Sequence, residues 1–203
     1  MIRSLLLVAG PSGSGKSRLT RLAAADGRAV ALSLDDFYFD ADHPGLPTTP
    51  LGIPDWDDPA CWDLPLAVAT LRALLDDGEA ELPVYDISLS RRVGTRRLAL
   101  GGATLVVAEG IFAPQTLGAA VEAGIAVEAV WLDRRRETNF VRRLARDLEE
   151  RRKPPAVLVR RGLALYRAEP ALRREAVTAG FTPAPMRHAL RLVSRGSEPS
   201  SGR

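Results

Sequence analysis

Short apolar runs alternate with longer amphipathic stretches along most of this 203-residue chain. Apolar runs of four to eight residues with few polar positions are typical of strands that are buried on both faces. They predict four such strands, at Ser4 to Ala9, Ala29 to Leu34, Thr104 to Ala108 and Ala126 to Leu132. A further apolar segment, His188 to Val193, is interpreted as the last strand.

The amphipathic stretches between the strands carry the apolar period of helices. They predict helices at Gly15 to Ala25, Leu64 to Leu75, Pro114 to Ala123, Glu137 to Arg151 and Ala156 to Arg167, the last continuing after Pro170. Alternating strands and helices favour an α/β fold, a doubly wound and mostly parallel sheet of about five strands flanked by helices. Ligands of such sheets bind beyond the carboxyl ends of the strands.

Two regions depart from this alternation. Prolines and glycines crowd residues 36 to 58, which predicts a long irregular loop of the kind that is often functional. Residues 81 to 85 look extended and precede an arginine-rich loop or hairpin. We expect residues 1–195 to form one domain and residues 196–203 to be a mobile tail.

Composition narrows the class of protein. Hydrophobic residues make up 46% of the chain and charged residues 26%, which is the balance of an ordinary soluble globular protein and excludes a disordered one. The net charge is +3, and Lys16 and Lys153 are the only lysines. The single cysteine, Cys61, predicts inert packing and a reducing, cytoplasmic location. No stretch approaches the roughly 20 apolar residues that would indicate a membrane partner.

A phosphate-binding motif follows the first strand directly. Its eight residues are Gly10, Pro11, Ser12, Gly13, Ser14, Gly15, Lys16 and Ser17, which fit the P-loop (Walker A) pattern. In such a loop the glycines turn backbone N–H groups toward phosphates, the lysine neutralises their oxygens and the serine hydroxyl ligates Mg²⁺. The pattern therefore predicts a P-loop NTPase fold that binds a nucleoside triphosphate with Mg²⁺.

The remaining motifs favour a small-molecule kinase over other P-loop classes. A guanine-reading Asn-Lys-x-Asp or Thr-Lys-x-Asp is absent from the sequence. Asp35 and Glu109 each follow or end a predicted strand, where a carboxylate can hold Mg²⁺ or accept a hydroxyl proton. The alternative interpretation is that both are solvated strand caps.

The helix Glu137 to Arg151 is rich in arginine. Phe140, Leu144 and Leu148 predict its buried stripe, which leaves Arg143 and Arg146 on a separate face. One interpretation is a lid, at about residues 134–155, whose arginines close over phosphates. A solvated charged face and a nucleic-acid patch are the alternatives, although interleaved acidic residues and missing aromatics argue against nucleic acid.

Taken together, six motifs in order resemble the uridine kinase branch of the phosphoribulokinase/uridine kinase family, over about residues 5–151. Besides the P-loop they are Ser-Leu-Asp-Asp-Phe-Tyr at 33–38, Asp-Trp-Asp-Asp-Pro at 55–59 with Trp-Asp at 62–63, Pro-Val-Tyr-Asp at 83–86, Glu-Gly-Ile at 109–111, and Arg-Arg-Leu-Ala-Arg-Asp at 142–147 followed by Glu-Arg at 150–151. The resemblance implies an ATP- and Mg²⁺-dependent transfer of the γ-phosphoryl group to a hydroxyl of a nucleoside or sugar-like acceptor.

The resemblance also implies a role for each matching residue. Asp35 would be the catalytic base, acting with Lys16 and Arg146. Ser17 and Glu109 would hold the metal. Tyr38, Asp57, Tyr85 and Arg143 would bind the acceptor, and Arg146 and Arg151 would reach the phosphates of ATP.

Departures from the family pattern concern the acceptor. The family's base-reading histidine is matched by Ser90, and the aromatic residue after its Tyr-Asp by Ile87. A non-nucleoside acceptor such as pantothenate therefore stays open, as does a homo-oligomer. Two other classes remain as alternatives, a regulatory or nucleic-acid-binding ATPase and a silent nucleotide-binding protein.

Overall fold

The computed structural model describes residues 3–25, 27–49, 52–149 and 155–196. A five-stranded parallel sheet forms its centre, in the order β2-β5-β1-β6-β7. Its strands are β1 (Ser4–Ala9), β2 (Ala29–Ser33), β5 (Leu105–Glu109), β6 (Val127–Leu132) and β7 (Thr182–Ala184). A separate antiparallel hairpin consists of β3 (Glu79–Asp86) and β4 (Arg91–Ala99). The predicted parallel sheet of about five strands is confirmed.

Both faces of the sheet are covered because its central strand is apolar throughout. Leu5 and Leu7 of β1 point into one hydrophobic core, while Leu6 and Val8 point into the other. Successive side chains of a strand project to opposite faces, so an uninterrupted apolar run needs two covering layers. The sequence pattern therefore dictates the doubly wound architecture.

Helices form those two layers. They are α1 (Lys16–Ala24), α2 (Leu64–Asp76), α3 (Ala113–Glu122), α4 (Arg136–Glu149), α5 (Pro155–Thr178) and α6 (Met186–Gly196). α1 and α6 contribute to one core, and α2, α3 and α5 to the other. The Asp63 side chain caps α2 by accepting the backbone N–H of Leu66 at 3.1 Å.

The prediction of a last strand at His188 to Val193 is wrong, because these residues lie in α6. The buried positions Ala189 and Val193 are four residues apart, with the partly buried Leu190 beside them, which is a helical stripe. The last strand is β7 instead, which pairs with β6 at the edge of the sheet. Its three residues include Pro183, and so short a run carries no period.

The predicted buried stripe of α4 is confirmed only in part, because Phe140 and Leu144 are partly buried. The buried residues of this helix are Asn139 and Arg143, whereas Leu148 is 43% exposed. The Nη2 atom of Arg143 donates to the carbonyl oxygen of Gly162 in α5 at 2.9 Å, which satisfies the buried charge in part. Phe140 lies over the same part of α5, with its ring 6.3 Å from that of Tyr166. A polar residue thus occupies the centre of the α4–α5 interface.

The remaining expectations concern Cys61, the C-terminal tail, the end of the lid and the absence of a membrane-spanning helix. Cys61 is fully buried, as expected for packing, and its Sγ donates to the carbonyl oxygen of Asp55 at 3.2 Å. Residue 196, where the proposed mobile tail begins, is the last residue of α6, and residues 197–203 lie outside the described residues, as do residues 150–154 of the expected lid. Among the helices that the structure describes, none is long and apolar enough to cross a membrane.

Candidate active site

Three strand ends converge at one edge of the sheet. Val8 of β1 and Ser33 of β2 both lie in register with Glu109, the last residue of β5. The P-loop leaves β1 at this point and the Asp35 segment leaves β2. Parallel strands bring their carboxyl ends to the same edge of the sheet. Asp35 and Glu109 therefore become neighbours although they are 74 positions apart in sequence.

The P-loop closes around the start of α1. Gly15 adopts a left-handed conformation as the N-cap, and Lys16 begins the helix. Gly13, at φ +89°, lies so close to α4 that a Cβ atom would be 2.5 Å from the carbonyl oxygen of Asn139. A side chain at this position would therefore push α4 away from the loop. The motif glycine thus serves packing as well as loop conformation.

Lys16 and Ser14 are the polar groups inside the loop. The Nζ atom of Lys16 donates to the carbonyl oxygen of Gly10 at 2.8 Å. Burial lowers the pKa of Lys16, and the negative charges of Glu109 and Asp35 oppose this change. The Ser14 hydroxyl is buried and has no hydrogen-bond partner among the described residues. Buried polar atoms are normally bonded, so this hydroxyl is suited to a ligand oxygen in the loop.

Ser17 and Glu109 meet beside the loop. The Ser17 hydroxyl donates to Oε1 of Glu109 at 2.7 Å. Hydroxyl and carboxylate oxygens are the ligands that Mg²⁺ prefers, usually one or two from the protein together with phosphate oxygens and water. Within the described ranges, no group of three or more His, Cys, Asp or Glu side chains could hold a metal ion by itself. The pair therefore fits a metal that is shared with a bound phosphate.

Asp35 lies in a short 3-10 turn, Leu34–Phe37, directly after β2. Burial raises the pKa of its carboxyl to about 6, and the negative charge of Glu109 adds to the rise. Lys16 acts in the opposite direction. A Cβ atom on Gly110 would lie 2.7 Å from Cβ of Leu34 and 3.3 Å from Oδ1 of Asp35. The glycine after Glu109 thus allows the β5 end to approach the Asp35 turn closely.

Aromatic side chains line the other side of Asp35. Tyr38 lies at the centre of this group, with its ring 5.6 Å from each of the rings of Trp56, Tyr85 and Phe112. The Tyr38 hydroxyl donates to the carbonyl oxygen of Trp56 at 3.0 Å. Burial raises the pKa of the Tyr38 phenol, and the charges of Asp35 and Asp57 add to the effect. Asp35 and Asp57 thus border the same aromatic cluster.

The hairpin turn supplies the outer part of this cluster. Burial raises the pKa of the Tyr85 phenol, while a hydrogen bond with the Ser90 side chain opposes the rise. Ser90 has a left-handed backbone at φ 49°. Ile87 is 70% exposed, so it does not cover the cluster. Asp57 is exposed as well.

The two predicted lid arginines occupy different places. Nη2 of Arg146 donates to the hydroxyl of Ser12 in the P-loop at 3.2 Å and pairs with Oδ1 of Asp147 at 3.0 Å. Arg143, by contrast, is buried against α5, so the prediction that it lies away from the buried side of α4 is wrong. Its role toward sugar hydroxyls stays a prediction. Arg151 lies outside the described residues.

A cavity of about 380 Å³ adjoins the loop on the side away from Asp35's aromatic neighbours. Ser14 forms part of its wall, together with residues 132–134 at the end of β6 and residues 185–187 around the start of α6. Sequence patterns missed this cavity because His188 to Val193 were interpreted as a strand, so no helix was expected to begin at Met186. The sequence patterns also gave no role to Trp56 and Phe112, although Trp56 lies within one recognised motif and Phe112 directly follows another.

Comparison with known proteins agrees with this geometry. The sequence profile of the phosphoribulokinase/uridine kinase family matches residues 5–157. The uridine kinase of Deinococcus deserti is 32% identical over 162 residues, which cover 79% of this chain and 76% of that protein. The uridine kinase of Lactobacillus johnsonii is 30% identical over 148 residues, covering 71% of this chain and 67% of that protein.

Among solved structures, a protein described as a fructose transport system kinase, from Silicibacter sp. TM1040, is similar with a TM-score of 0.64. The match covers 90% of both chains at 20% identity, and it shows the fold alone. The family profile and the relatives show, in addition, the family to which the chain belongs. This chain belongs to the phosphoribulokinase/uridine kinase family, and it is a kinase, a phosphotransferase whose acceptor is an alcohol group.

Proposed function

We propose that this protein is an ATP- and Mg²⁺-dependent kinase that phosphorylates a hydroxyl of a nucleoside or another sugar-like alcohol. The observation that carries the proposal is the position of Asp35. Its carboxyl adjoins Lys16 and Glu109 on one side and the Tyr38 aromatic cluster on the other. It therefore lies between a phosphate-binding loop and a partly exposed aromatic cluster suited to a flat or ring-shaped molecule.

ATP would occupy the loop side of the site. The Gly10–Ser17 loop would hold the phosphates, with Lys16 and Arg146 as cations and the Ser14 hydroxyl as an additional donor. The cavity beside Ser14 is suited to the base. Ser17 and Glu109 would hold Mg²⁺. Bound MgATP supplies the transferable γ-phosphoryl group and the metal charge that offsets its oxygens.

The protein's own contribution is to position the acceptor and accept its proton. With a pKa of about 6, Asp35 is mostly ionised at neutral pH yet basic enough to accept a proton from an alcohol as the oxygen attacks. Tyr38 and Tyr85 would hold the ring of the acceptor, and Asp57 would accept hydrogen bonds from its hydroxyls. Lys16 and Arg146 would stabilise the negative charge on the transferred group.

Two features support a nucleoside or sugar-like acceptor. The first is the aromatic cluster, because flat faces of tyrosine and tryptophan pack against sugar rings and bases. The second is the similarity to uridine kinases over about three quarters of the chain. Ser90 and Ile87 leave fewer groups that could read a particular base.

A screen of ADP release tests the proposal. The purified protein with MgATP is assayed against uridine, cytidine, inosine, ribose, fructose, pantothenate and glycerate, with the Asp35→Asn variant as the control. We expect ADP release that depends on one or more nucleosides or sugars and is lost in the variant. ADP release stimulated by RNA or DNA and by none of the alcohols would contradict the proposal and favour a nucleic-acid-dependent ATPase.

A further inference from the structure

Arg92, on strand β4 of the hairpin, makes an unusual set of contacts with the Asp35 segment. Its Nε atom donates to the carbonyl oxygen of Tyr38 at 3.0 Å, and its Nη2 atom donates to that of Phe37 at 3.1 Å. The same Nη2 atom pairs with Oδ2 of Asp63 at 3.1 Å. One guanidinium group thus joins the hairpin to the chain that follows Asp35 and to the start of α2.

The segment that Arg92 contacts is held between two other parts of the chain. On one side, the backbone N–H of Asp63 donates to the carbonyl oxygen of Phe37 at 3.0 Å. On the other side, the backbone N–H of Arg92 donates to Oδ1 of Asp40 at 2.7 Å, and Ala41 donates to the carbonyl oxygen of Ser90 at 2.8 Å. Residues 37–41 therefore have no sheet of their own and depend on these neighbours for their position.

Partial burial strengthens the ion pair between Arg92 and Asp63. The side chains of Arg92 and Asp63 are 27% and 18% exposed, so the pair is screened by water less than an ordinary surface ion pair. The forked guanidinium group can bond a carboxylate and two carbonyl oxygens at once, which an ammonium group cannot do with the same geometry. A second arginine of β4, Arg96, pairs with Asp36 at 3.4 Å but is 41% exposed.

We propose that Arg92 is a positioning residue for phosphoryl transfer, which fixes the segment bearing Asp35 and Tyr38 at the edge of the sheet. It acts through the Phe37 and Tyr38 carbonyl groups and the Asp63 carboxylate. The kinetic part of this inference rests on the proposed function, whereas the structural part does not. The chain offers a matched control in Arg97, an exposed residue of the same strand that pairs with Glu79 inside the hairpin.

The structural part is tested by hydrogen–deuterium exchange on the full chain without ligands. In Arg92→Gln we expect faster amide exchange in residues 34–41 and 61–66, with β1 and β5 unchanged. Arg97→Gln should match the wild type in all four regions. Unchanged exchange at residues 34–41, or a rise that extends equally to β1 and β5, would overturn the inference, because the second result indicates a general loss of stability.

The kinetic part is tested with uridine as the acceptor probe. A displacement of about 1 Å at a reacting group can lower the rate about 100-fold. We therefore expect Arg92→Gln to lower kcat/KM for uridine by about 10- to 100-fold, with the Kd for MgATP within about twofold of the wild type. Arg92→Lys should recover part of the loss, because it keeps the charge beside Asp63. An equal loss of MgATP affinity would contradict a positioning role.

The exchange measurement and the kinetic measurement together distinguish failure of the proposed function from failure of the positioning role of Arg92. If the wild type phosphorylates neither uridine nor any alcohol of the screen, the proposed function fails, while the exchange measurement still decides whether Arg92 fixes the segment. If the wild type is active and Arg92→Gln is as active as Arg97→Gln, the positioning role fails and the proposed function stands.

Discussion

The two sides of the candidate site are built in different ways. The phosphate side is one continuous stretch of chain, Gly10–Ser17, that leaves the central strand and enters α1, and its partner Glu109 ends the adjacent strand. The acceptor side draws Tyr38, Trp56, Tyr85 and Phe112 from four separate segments. None of these four segments belongs to the parallel sheet. They are held instead by contacts among side chains and loops.

This difference has a consequence for substitution. The phosphate side is fixed by the sheet and by backbone conformation, so a change there removes a specific interaction and leaves its surroundings in place. The acceptor side depends on many weak contacts, so a change there alters the arrangement of the aromatic cluster. We therefore expect phosphate-side variants to lose activity with every acceptor, and acceptor-side variants to change the preference among acceptors. Asp35 lies at the boundary between the two.

The largest effect is expected for Asp35→Asn. An amide cannot accept the proton of the attacking hydroxyl, so turnover should fall by about 10²- to 10⁴-fold. Affinity for MgATP should change little, because the P-loop contacts remain. Steady-state ADP release and isothermal titration with a non-hydrolysable ATP analogue measure the two quantities. Asp42→Asn, at an exposed carboxylate that pairs with Arg91, is the control.

The pH dependence of stability gives an independent check on Asp35. Its folded pKa of about 6 lies above the ordinary value of 3.8. Between these values the folded state keeps a proton that the unfolded state has lost, so the wild type loses stability as pH rises through this window. Asp35→Asn should therefore raise the free energy of unfolding at pH 7.5 by about 1–3 kcal/mol, and the gain should vanish below pH 4. Urea unfolding at both pH values measures it, and an equal effect at both would contradict the assignment of the raised pKa.

The next largest effect is expected for Lys16→Ala, on the phosphate side. The ammonium group interacts with the charges of Glu109 and Asp35, and its loss should lower turnover by about 10²- to 10³-fold and weaken MgATP binding. Arg18→Ala, two residues later on the exposed face of α1, provides the comparison. The loss should be the same for every acceptor. A variant that keeps full MgATP affinity would overturn the assignment of the loop as the nucleotide site.

A smaller effect is expected for Arg146→Ala. Its guanidinium group reaches the Ser12 hydroxyl from α4, and a hydrogen bond to a charged group is worth about 1.5–3 kcal/mol, which corresponds to about 10- to 100-fold in rate. Because the side chain is 45% exposed, the melting temperature should be nearly unchanged. Arg142→Ala, one turn earlier and exposed, should be close to wild type in both assays. A loss of stability without a loss of turnover would favour a structural role for Arg146.

The same contrast explains what could be predicted from the sequence. The P-loop, its strand and its helix follow from one contiguous pattern, and the doubly wound sheet follows from apolar runs such as that of β1. The fold class implied that Asp35 and Glu109 lie at the same edge of the sheet, whereas the pairing of Glu109 with Ser17 was expected from the family resemblance. The acceptor side was less predictable, because its residues meet only through tertiary contacts and carry no period.

The errors have particular physical causes. α6 was predicted as a strand because the alternation of apolar residues in His188 to Val193 is too short to separate the two periods. The inward face of α4 was misplaced because Arg143 is buried in spite of its charge, bonded to a carbonyl of α5. Arg92 received no role because its importance depends on carbonyl groups 54 and 55 residues away, which no sequence pattern marks.

The smallest effect is expected for Ser90→His, which concerns preference among acceptors. Family resemblance places a base-reading histidine at this position, and the left-handed backbone at φ 49° is one that histidine tolerates better than most residues. One new hydrogen bond is worth about 0.5–1.5 kcal/mol, so kcat/KM for uridine relative to inosine should rise by about two- to tenfold. Leu89→His, at the exposed neighbouring position, controls for the added imidazole. If the ratio is unchanged while both rates fall, the loss of the Ser90–Tyr85 contact dominates, and the base is read elsewhere or not at all.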